Sequence, residues 1–281
     1  MASPFDAFAK QKEFLVCVDS DGCAMDTMDI KHFRCFGPCM VAEWGLTEWE
    51  APILKRWNEI NLYTMTRGVN RFKGLAMALA EIDAQYKKID GLAALQAWAA
   101  EAKELSNGAL ERALAEGADP ILGKALAWSQ AVNAAITQLP EELKQPFSGA
   151  KEGLAFAHET ADVAIVSSAN RDAVLAEWEV HGLLPHTDIV LAQDAGSKAH
   201  CIGELLKKGY DPAHVLMVGD APGDKAAAEK NGVYFYPILV RHEAESWAEF
   251  VREGLAHLED GTYAAYGEAK AAQFNHNLGG E

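Results

Sequence analysis

The sequence predicts an α/β fold in which a parallel β-sheet core is interrupted by an inserted segment that is entirely helical. Short β-branched, apolar runs typical of buried strands occur near the start of the chain and again after about residue 160. Between them, the sequence is rich in Ala, Leu, Trp, Glu and Lys, with apolar residues at helical spacing. We therefore expect residues 1–25 and 147–281 to form the α/β core and residues 26–146 to form a helical domain.

The order of elements within the core supports this prediction. The first strand is expected at Phe14–Val18, directly before an Asp-Ser-Asp-Gly turn. The second part of the core is expected to alternate strands (163–166, 188–191, 215–218, 233–238) with helices (171–181, 198–208, 223–231). A further helix is expected over residues 244–258, and the polar residues 273–281 are expected to be loosely ordered. Within the insertion, Gly37-Pro38 is expected to interrupt a helix.

Composition narrows the class of protein. The chain has 281 residues and a formal net charge of −16, which argues against a broad surface for nucleic acid or anionic membranes. The cysteines are odd in number and the first residues lack an apolar signal core, so a reducing cytoplasm is expected. Cys35 and Cys39 have the spacing of a metal pair, but no second pair completes a site, so buried or incidental thiols are expected.

Polar residues follow three of the predicted strands, and a lysine opens one of the predicted helices. Because the carboxyl ends of parallel strands meet at one edge of the sheet, these groups are expected to lie close together. Carboxylates, a hydroxyl and an ammonium at such an edge suit metal-assisted phosphoryl transfer. The residues concerned are Asp19, Ser20 and Asp21, then Ser167 and Ser168, then Lys198, and finally Asp220 and Asp224.

Each of these groups also has an ordinary structural interpretation. Asp19 and Asp21 could belong to a solvated turn, and Asp224 could stabilise the first turn of the helix that follows it. Ser167 could cap the next helix, and Lys198 could be a surface lysine, although a cation at a helix amino terminus opposes the helix dipole. The residues taken singly leave these alternatives open.

Taken jointly and in this order, the motifs resemble those of the haloacid dehalogenase-like hydrolase superfamily. The segment VCVDSDGC, residues 16–23, is similar to its first motif, and IVSS, residues 165–168, is similar to its second. Lys198 corresponds to the third motif, and Val218-Gly219-Asp220 with Asp224 corresponds to the fourth. The resemblance implies a Rossmann-like core whose helical cap is inserted after the first motif. Cys23 departs from the Thr or Val that is usual there.

The resemblance also implies roles for these residues. Asp19 would attack phosphorus, and Asp21 would act as general acid and then as general base. Mg²⁺ would be held by Asp19, the backbone carbonyl of Asp21, Asp220 and Asp224, while the phosphate would be held by Ser167, Ser168 and Lys198. Because the dehalogenase branch lacks a carboxylate two residues after its nucleophile, Asp21 favours phosphate chemistry.

Substrate contacts are expected in the helical insertion. Arg67, Arg71 and His32 are the candidates, since a guanidinium suits an anionic or hydroxylated ligand; the alternative is a solvated basic turn. The tryptophans of the insertion lie at helical spacing and are expected in its core.

The sequence thus predicts a Mg²⁺-dependent phosphatase that hydrolyses a small phosphorylated metabolite through an aspartyl phosphate. The alternatives are a phosphomutase on the same scaffold, a phosphonate hydrolase that would use Lys31 as its cap lysine, and a binding module without catalysis. The expected partner is the metabolite, with no nucleic acid or membrane, and the sequence does not predict the substrate's identity or the oligomeric state.

Overall fold

A computed structural model describes residues 4–280; the ends of the predicted core, residues 1–3 and 281, lie outside them. The described chain divides into two compact units. The first, which we call the α/β unit, comprises the residues up to Met28 and those from Glu141 onward. The second, which we call the helical unit, is Asp29–Pro140. The predicted insertion, residues 26–146, is longer than the helical unit by a few residues at each end.

The α/β unit is built on a five-stranded parallel sheet and a two-stranded antiparallel ribbon. The strands are β1 (Phe14–Val18), β2 (Met25–Asp26), β3 (Gln145–Pro146), β4 (Ala161–Val166), β5 (Ile189–Leu191), β6 (Val215–Gly219) and β7 (Tyr234–Pro237). The order in the sheet is β5-β4-β1-β6-β7, so β1 lies at its centre. Val18 pairs with Ile165 on one side and with Val218 on the other, so β1, β4 and β6 end at the same edge. The predicted α/β fold with a parallel sheet is confirmed.

The ribbon joins the two places where the chain passes between the units. In this ribbon Met25 of β2 lies opposite Pro146 of β3. The amide of Phe147 donates to the carbonyl of Ala24 over 3.0 Å. The departing and returning segments are therefore hydrogen-bonded to each other within the α/β unit.

The helical unit has a core of large apolar side chains. Its helices are α1 (Met28–Lys31), α2 (Gly37–Trp44), α3 (Glu50–Leu62), α4 (Arg71–Gln85), α5 (Leu92–Glu101), α6 (Asn107–Ala115) and α7 (Pro120–Thr137). Trp44, Trp57 and Trp128 are buried in this core, and Trp49 and Trp98 pack against it. The prediction that the tryptophans form the core of the insertion is confirmed.

Gly37-Pro38 does not interrupt a helix, so that prediction is wrong. A π-helical turn over His32–Phe36 leads from α1 directly into α2, and Pro38 falls in the first turn of α2. Proline is tolerated there because the turn before it is π-helical: the amide of Gly37 donates to the carbonyl of His32, five residues back, so the regular α-helical hydrogen-bond pattern is already displaced at Pro38. A Cβ on Gly37 would lie 2.7 Å from the Leu54 side chain, so the glycine lets α2 approach α3 closely.

The remaining helices surround the parallel sheet. They are α8 (Ala150–Thr160), α9 (Arg171–Val180), α10 (Lys198–Leu206), α11 (Pro222–Asn231), α12 (Glu243–Glu249), α13 (Leu255–Glu259) and α14 (Tyr263–Asn277). A second π-helical turn, Phe250–Gly254, joins α12 to α13, so the helix expected over residues 244–258 forms as one continuous run.

Residues 273–280 are ordered, contrary to the prediction for residues 273–281; residue 281 lies outside the described residues. Helix α14 runs to Asn277, and both Phe274 and Leu278 are buried. The Phe274 ring packs edge-on against Phe235 of β7, with 5.2 Å between ring centroids. Only two apolar side chains in this segment face the core, which is too few for a periodic pattern to show in the sequence.

All five cysteines are free thiols, and all except Cys39 are buried. Burial raises the pKa of both Cys35 and Cys39.

Among the described residues, no helix combines the length and apolarity that crossing a bilayer requires.

Candidate active site

Three carboxylates meet where β1 and β6 end. Asp19 directly follows β1, Asp220 directly follows β6, and Asp224 lies in the first turn of α11. Their carboxylate oxygens lie within 4.8 Å of one another, and all three residues are buried. The amide of Asp19 donates to the carbonyl of Val218 over 3.0 Å, which continues the pairing of β1 with β6 into the site.

Lys198 lies among these carboxylates. Its Nζ is 2.6 Å from Oδ2 of Asp19 and 2.5 Å from Oδ1 of Asp224. Lys198 is the first residue of α10, as predicted, and Ser197 caps that helix by accepting the amide of His200. Two carboxylates therefore hold a cation where the helix dipole alone would disfavour it, and the alternative of a surface lysine is wrong.

Asp224 stabilises the start of its helix, as the structural alternative predicted, and also contacts Lys198; its predicted contact with a metal ion stays a prediction. Its Oδ2 accepts the amide of Ala221 over 3.0 Å, which stabilises the start of α11, while its Oδ1 accepts from Lys198. A Cβ on Gly219 would lie 2.4 Å from Cγ of Asp224. Asp224 can approach the end of β6 only because residue 219 has no side chain.

The electrostatics of the site favour an added cation. Burial raises the pKa of Asp19, Lys198 lowers it, and Asp224 and Asp220 raise it again, with a net result of about 8. Burial would lower the pKa of Lys198, but Asp19 and Asp224 outweigh burial and raise it above its usual value. One ammonium thus does not compensate three buried carboxylates.

The three carboxylates fit a magnesium ion. Carboxylate oxygens are the hard ligands that Mg²⁺ prefers, and few protein carboxylates suffice because the ion keeps several waters. With Lys198 charged and all three carboxylates ionised, the site carries a surplus of negative charge that a divalent cation can balance. Asp19, Asp220 and Asp224 are therefore the side chains that can hold the ion.

The side chain of Asp21 is not part of this group of three carboxylates among the described residues. Its Oδ1 accepts a hydrogen bond from Oγ1 of Thr27, and Asp21 is only partly buried. A carboxyl group that remains partly accessible can exchange protons with a ligand or with water. The metal contact predicted for Asp21 involves its backbone carbonyl, and it stays a prediction.

Ser167 and Ser168 follow β4, at the same edge of the sheet. Ser167 is buried, and its Oγ accepts the amide of Ala169 over 3.1 Å. It does not cap the next helix: Asn170 does so, accepting the amides of Asp172 and Ala173. Ser168 is exposed.

Arg67 is held inside the helical unit. It is 2% exposed, its Nη1 donates to the carbonyl of Leu62 over 2.7 Å, and the same atom lies 3.9 Å from Oδ1 of Asp29. The alternative of a solvated basic turn therefore does not hold for Arg67.

His32 and Arg71 share an aromatic neighbour, Phe36. His32 stacks on Phe36 at a centroid distance of 4.6 Å and accepts the indole N–H of Trp57 at its Nδ1. The guanidinium of Arg71 lies 5.1 Å from the Phe36 ring centroid. Its Nη1 donates to the neutral side chains of Ser129 and Asn133, and across residues 4–280 no carboxylate forms an ion pair with it. Burial lowers the pKa of Arg71.

Two residues that contact the Asp19 loop were not identified by the sequence analysis. The indole N–H of Trp178 donates to Oγ of Ser20 over 2.9 Å, and that of Trp247 donates to the carbonyl of Cys23 over 3.0 Å. Both tryptophans lie far along the chain from the Asp19 loop and at positions where an apolar residue signals only core. Nothing in their sequence context distinguishes them from other buried aromatics.

Comparison with known proteins establishes the family. The model of the haloacid dehalogenase-like hydrolases matches residues 93–238, just over half of the chain. The chain belongs to that family. The matched segment contains Ser167, Lys198, Asp220 and Asp224, whereas Asp19 and Asp21 precede it. The resemblance predicted from the motifs is thereby confirmed, and no curated protein matches the sequence.

Solved structures share the fold at low sequence identity. A haloacid dehalogenase-like family hydrolase from Streptococcus pneumoniae is 13% identical, with a TM-score of 0.50, covering 83% of this chain and 90% of that one. A candidate haloacid dehalogenase-like hydrolase from Bacteroides fragilis is 12% identical, with a TM-score of 0.51 and coverages of 84% and 93%. A candidate phosphoglycolate phosphatase from Lactobacillus delbrueckii subsp. bulgaricus is 14% identical, with a TM-score of 0.51 and coverages of 80% and 85%.

The dependence of the site on Gly219 can be tested with a matched pair of variants. Gly219→Ala should displace Asp224 and weaken Mg²⁺ binding by about tenfold or more, since supporting contacts of metal ligands commonly carry that much affinity. Gly223→Ala is the control, because a Cβ there meets no atom within 4 Å. Isothermal titration calorimetry with Mg²⁺ gives both affinities, and equal affinities for the two variants would contradict the assignment of Asp224 to the ion.

Proposed function

We propose that this chain is a Mg²⁺-dependent phosphatase that hydrolyses a small phosphorylated metabolite through an aspartyl phosphate on Asp19. The observation that carries the proposal is the buried group of Asp19, Asp220 and Asp224 in contact with Lys198 at the carboxyl edge of the sheet. It combines a nucleophile, a cation site and a fixed ammonium. Phosphoryl transfer through a covalent intermediate can use all three, since a nucleophile forms the intermediate while cations neutralise the phosphoryl charge.

The first chemical step uses Asp19 and Asp21. An oxygen of Asp19 bonds to phosphorus while the bond from phosphorus to the leaving oxygen breaks, and the proton of Asp21 passes to that oxygen. Asp19, Asp220 and Asp224 would hold Mg²⁺, which would supply charge that neutralises the phosphoryl oxygens. Lys198 and the hydroxyl of Ser167 bind those oxygens.

The second step regenerates the enzyme. Asp21, now ionised, takes a proton from a water molecule whose oxygen attacks phosphorus, and the bond to Asp19 breaks to release inorganic phosphate and free carboxylate. Asp21 is suited to this exchange because it is only partly buried, whereas Asp19 is buried.

The position of Asp21 favours phosphate esters over haloacids. An alkoxide leaving group is a strong base that needs a proton as it departs, so an acid near the nucleophile speeds its release. A halide is a very weak base and departs without one. Asp21, two residues after Asp19, is useful for the first substrate class and unnecessary for the second.

Substrate selection is proposed to involve the helical unit, and Arg71 is its strongest candidate. Arg67 donates to the Leu62 carbonyl and lies near Asp29, whereas Arg71 contacts only neutral groups through Nη1 and the face of Phe36. A partly buried guanidinium without a carboxylate partner favours an anion. We therefore propose that Arg71 binds an anionic group on the leaving portion of the metabolite, with His32 holding Phe36 beneath it.

A panel of phosphorylated metabolites tests the function. Wild-type protein should release phosphate from at least one sugar phosphate or nucleotide with Mg²⁺ and stop when the ion is chelated. Asp19→Asn should lower kcat by at least about 10³-fold, because the covalent route is lost. Asp172→Asn, which alters an exposed carboxylate in the first turn of α9, is the control. Activity after exhaustive chelation, or a well-folded Asp19→Asn protein with near-normal turnover, would contradict the proposal.

The role of Arg71 predicts a difference between substrates. Arg71→Ala should lower kcat/KM for the preferred metabolite by about tenfold or more, the usual effect of losing a charged hydrogen bond. The effect on 4-nitrophenyl phosphate should be much smaller, because its leaving group lacks the anion. Arg112→Ala, which removes an exposed arginine paired with Glu104 in the same unit, is the control. Equal losses for both substrates would remove Arg71 from substrate selection.

A further inference from the structure

The loop that carries Asp19 and Asp21 is organised around Ser20. The carbonyl of Ser20 accepts the amides of Cys23, Ala24 and Met25 over 3.2, 3.0 and 2.9 Å. The amide of Ser20 in turn donates to Oδ1 of Asp19 over 2.7 Å. The two peptide groups of Ser20 therefore link the orientation of the Asp19 carboxylate to the turn that ends at Cys23 and Met25.

Trp247 of α12 contacts this turn at Cys23. It is fully buried, and its indole N–H donates to the carbonyl of Cys23 over 3.0 Å. A Cβ on Gly153 would lie 2.5 Å from Cε3 of Trp247, and one on Gly149 would lie 3.1 Å from its Cβ. Two glycines at the start of α8 thus provide the space into which the tryptophan fits, and the ring has little freedom to shift.

We propose that Trp247 is a positioning residue for the nucleophile loop, acting through Cys23 and Ser20 on Asp19 and Asp21. This inference rests on the proposed phosphatase function. A buried carbonyl without a donor is costly, so losing the indole N–H favours a rotation of the Cys23 peptide toward another partner. That rotation moves the turn on which both catalytic carboxylates depend. Helix α12, which follows the last strand of the sheet, is then part of the catalytic apparatus.

The test compares two buried tryptophans that make the same kind of hydrogen bond. Trp247→Phe removes the N–H that reaches Cys23 and keeps an aromatic ring. Trp128→Phe is the matched control, because Trp128 is equally buried and donates to the carbonyl of Phe36 over 3.1 Å in the helical unit. Gly153→Ala is a second variant that crowds the Trp247 ring and leaves its N–H in place, and it covers the case in which Trp247→Phe does not fold.

Two readouts separate positioning from stability. The first is kcat for aryl phosphates of graded leaving-group basicity, with Asp21→Asn as the reference for a lost general acid. Trp247→Phe and Gly153→Ala should lower kcat by about tenfold to a hundredfold, since small misplacements of reacting groups cost this much. KM should change little, and the loss should be larger for poor leaving groups, whereas Trp128→Phe should keep the wild-type dependence. The second readout is hydrogen exchange at the amides of residues 23–25, which should be accelerated only by the variants at 247 and 153.

Failure of the inference about Trp247 and failure of the proposed phosphatase function give different results. Unchanged exchange at residues 23–25 in Trp247→Phe would overturn the inference, as would accelerated exchange with wild-type kcat and leaving-group dependence. If wild-type protein hydrolyses no phosphate ester, the proposed function fails and with it the effect of Trp247 on catalysis. The exchange data would then still show whether the tryptophan anchors the loop.

Discussion

The ion pairs that Lys198 makes with Asp19 and Asp224 are the interaction on which the site depends. Three buried carboxylates within 4.8 Å of one another repel strongly, and burial adds the cost of removing each charge from water. Lys198 is the cation that compensates part of this charge from within the chain. The pKa of Asp19 is raised even with Lys198 in place, because burial and the neighbouring carboxylates of Asp224 and Asp220 outweigh the effect of the lysine.

The topology of the sheet explains why residues from distant segments lie at one edge of the sheet. Because β1 pairs in parallel with both β4 and β6, the residues after all three strands emerge at one edge. Asp19, Ser167 and Asp220 are the first residues after these strands, and α10 and α11 add Lys198 and Asp224. Gly219 completes the arrangement, since any side chain there would displace Asp224.

Much of this arrangement could be predicted from the sequence because it is encoded locally. An apolar strand followed at once by a carboxylate or hydroxyl is visible in a single window, and the order of such windows predicted both the fold and the positions of Asp19, Ser167 and Asp220. Residues whose role depends on a distant partner could not be found this way. Trp247 contacts Cys23 from the far end of the chain. Asn170 rather than Ser167 caps α9, because Asn170 directly precedes the first helical residue, Arg171. The order of α14 and the continuity through Gly37-Pro38 depend on packing against Phe235 and Leu54, which no local pattern shows.

The most direct test of the central claim is to trap the intermediate. Wild-type protein should be mixed with Mg²⁺ and its best metabolite, quenched in acid within one turnover and digested for mass spectrometry. We expect one added phosphoryl group on the peptide that contains Asp19, labile to hydroxylamine as an acyl phosphate is. A phosphoryl group on another residue, or none while phosphate is released in a rapid burst, would contradict nucleophilic attack by Asp19.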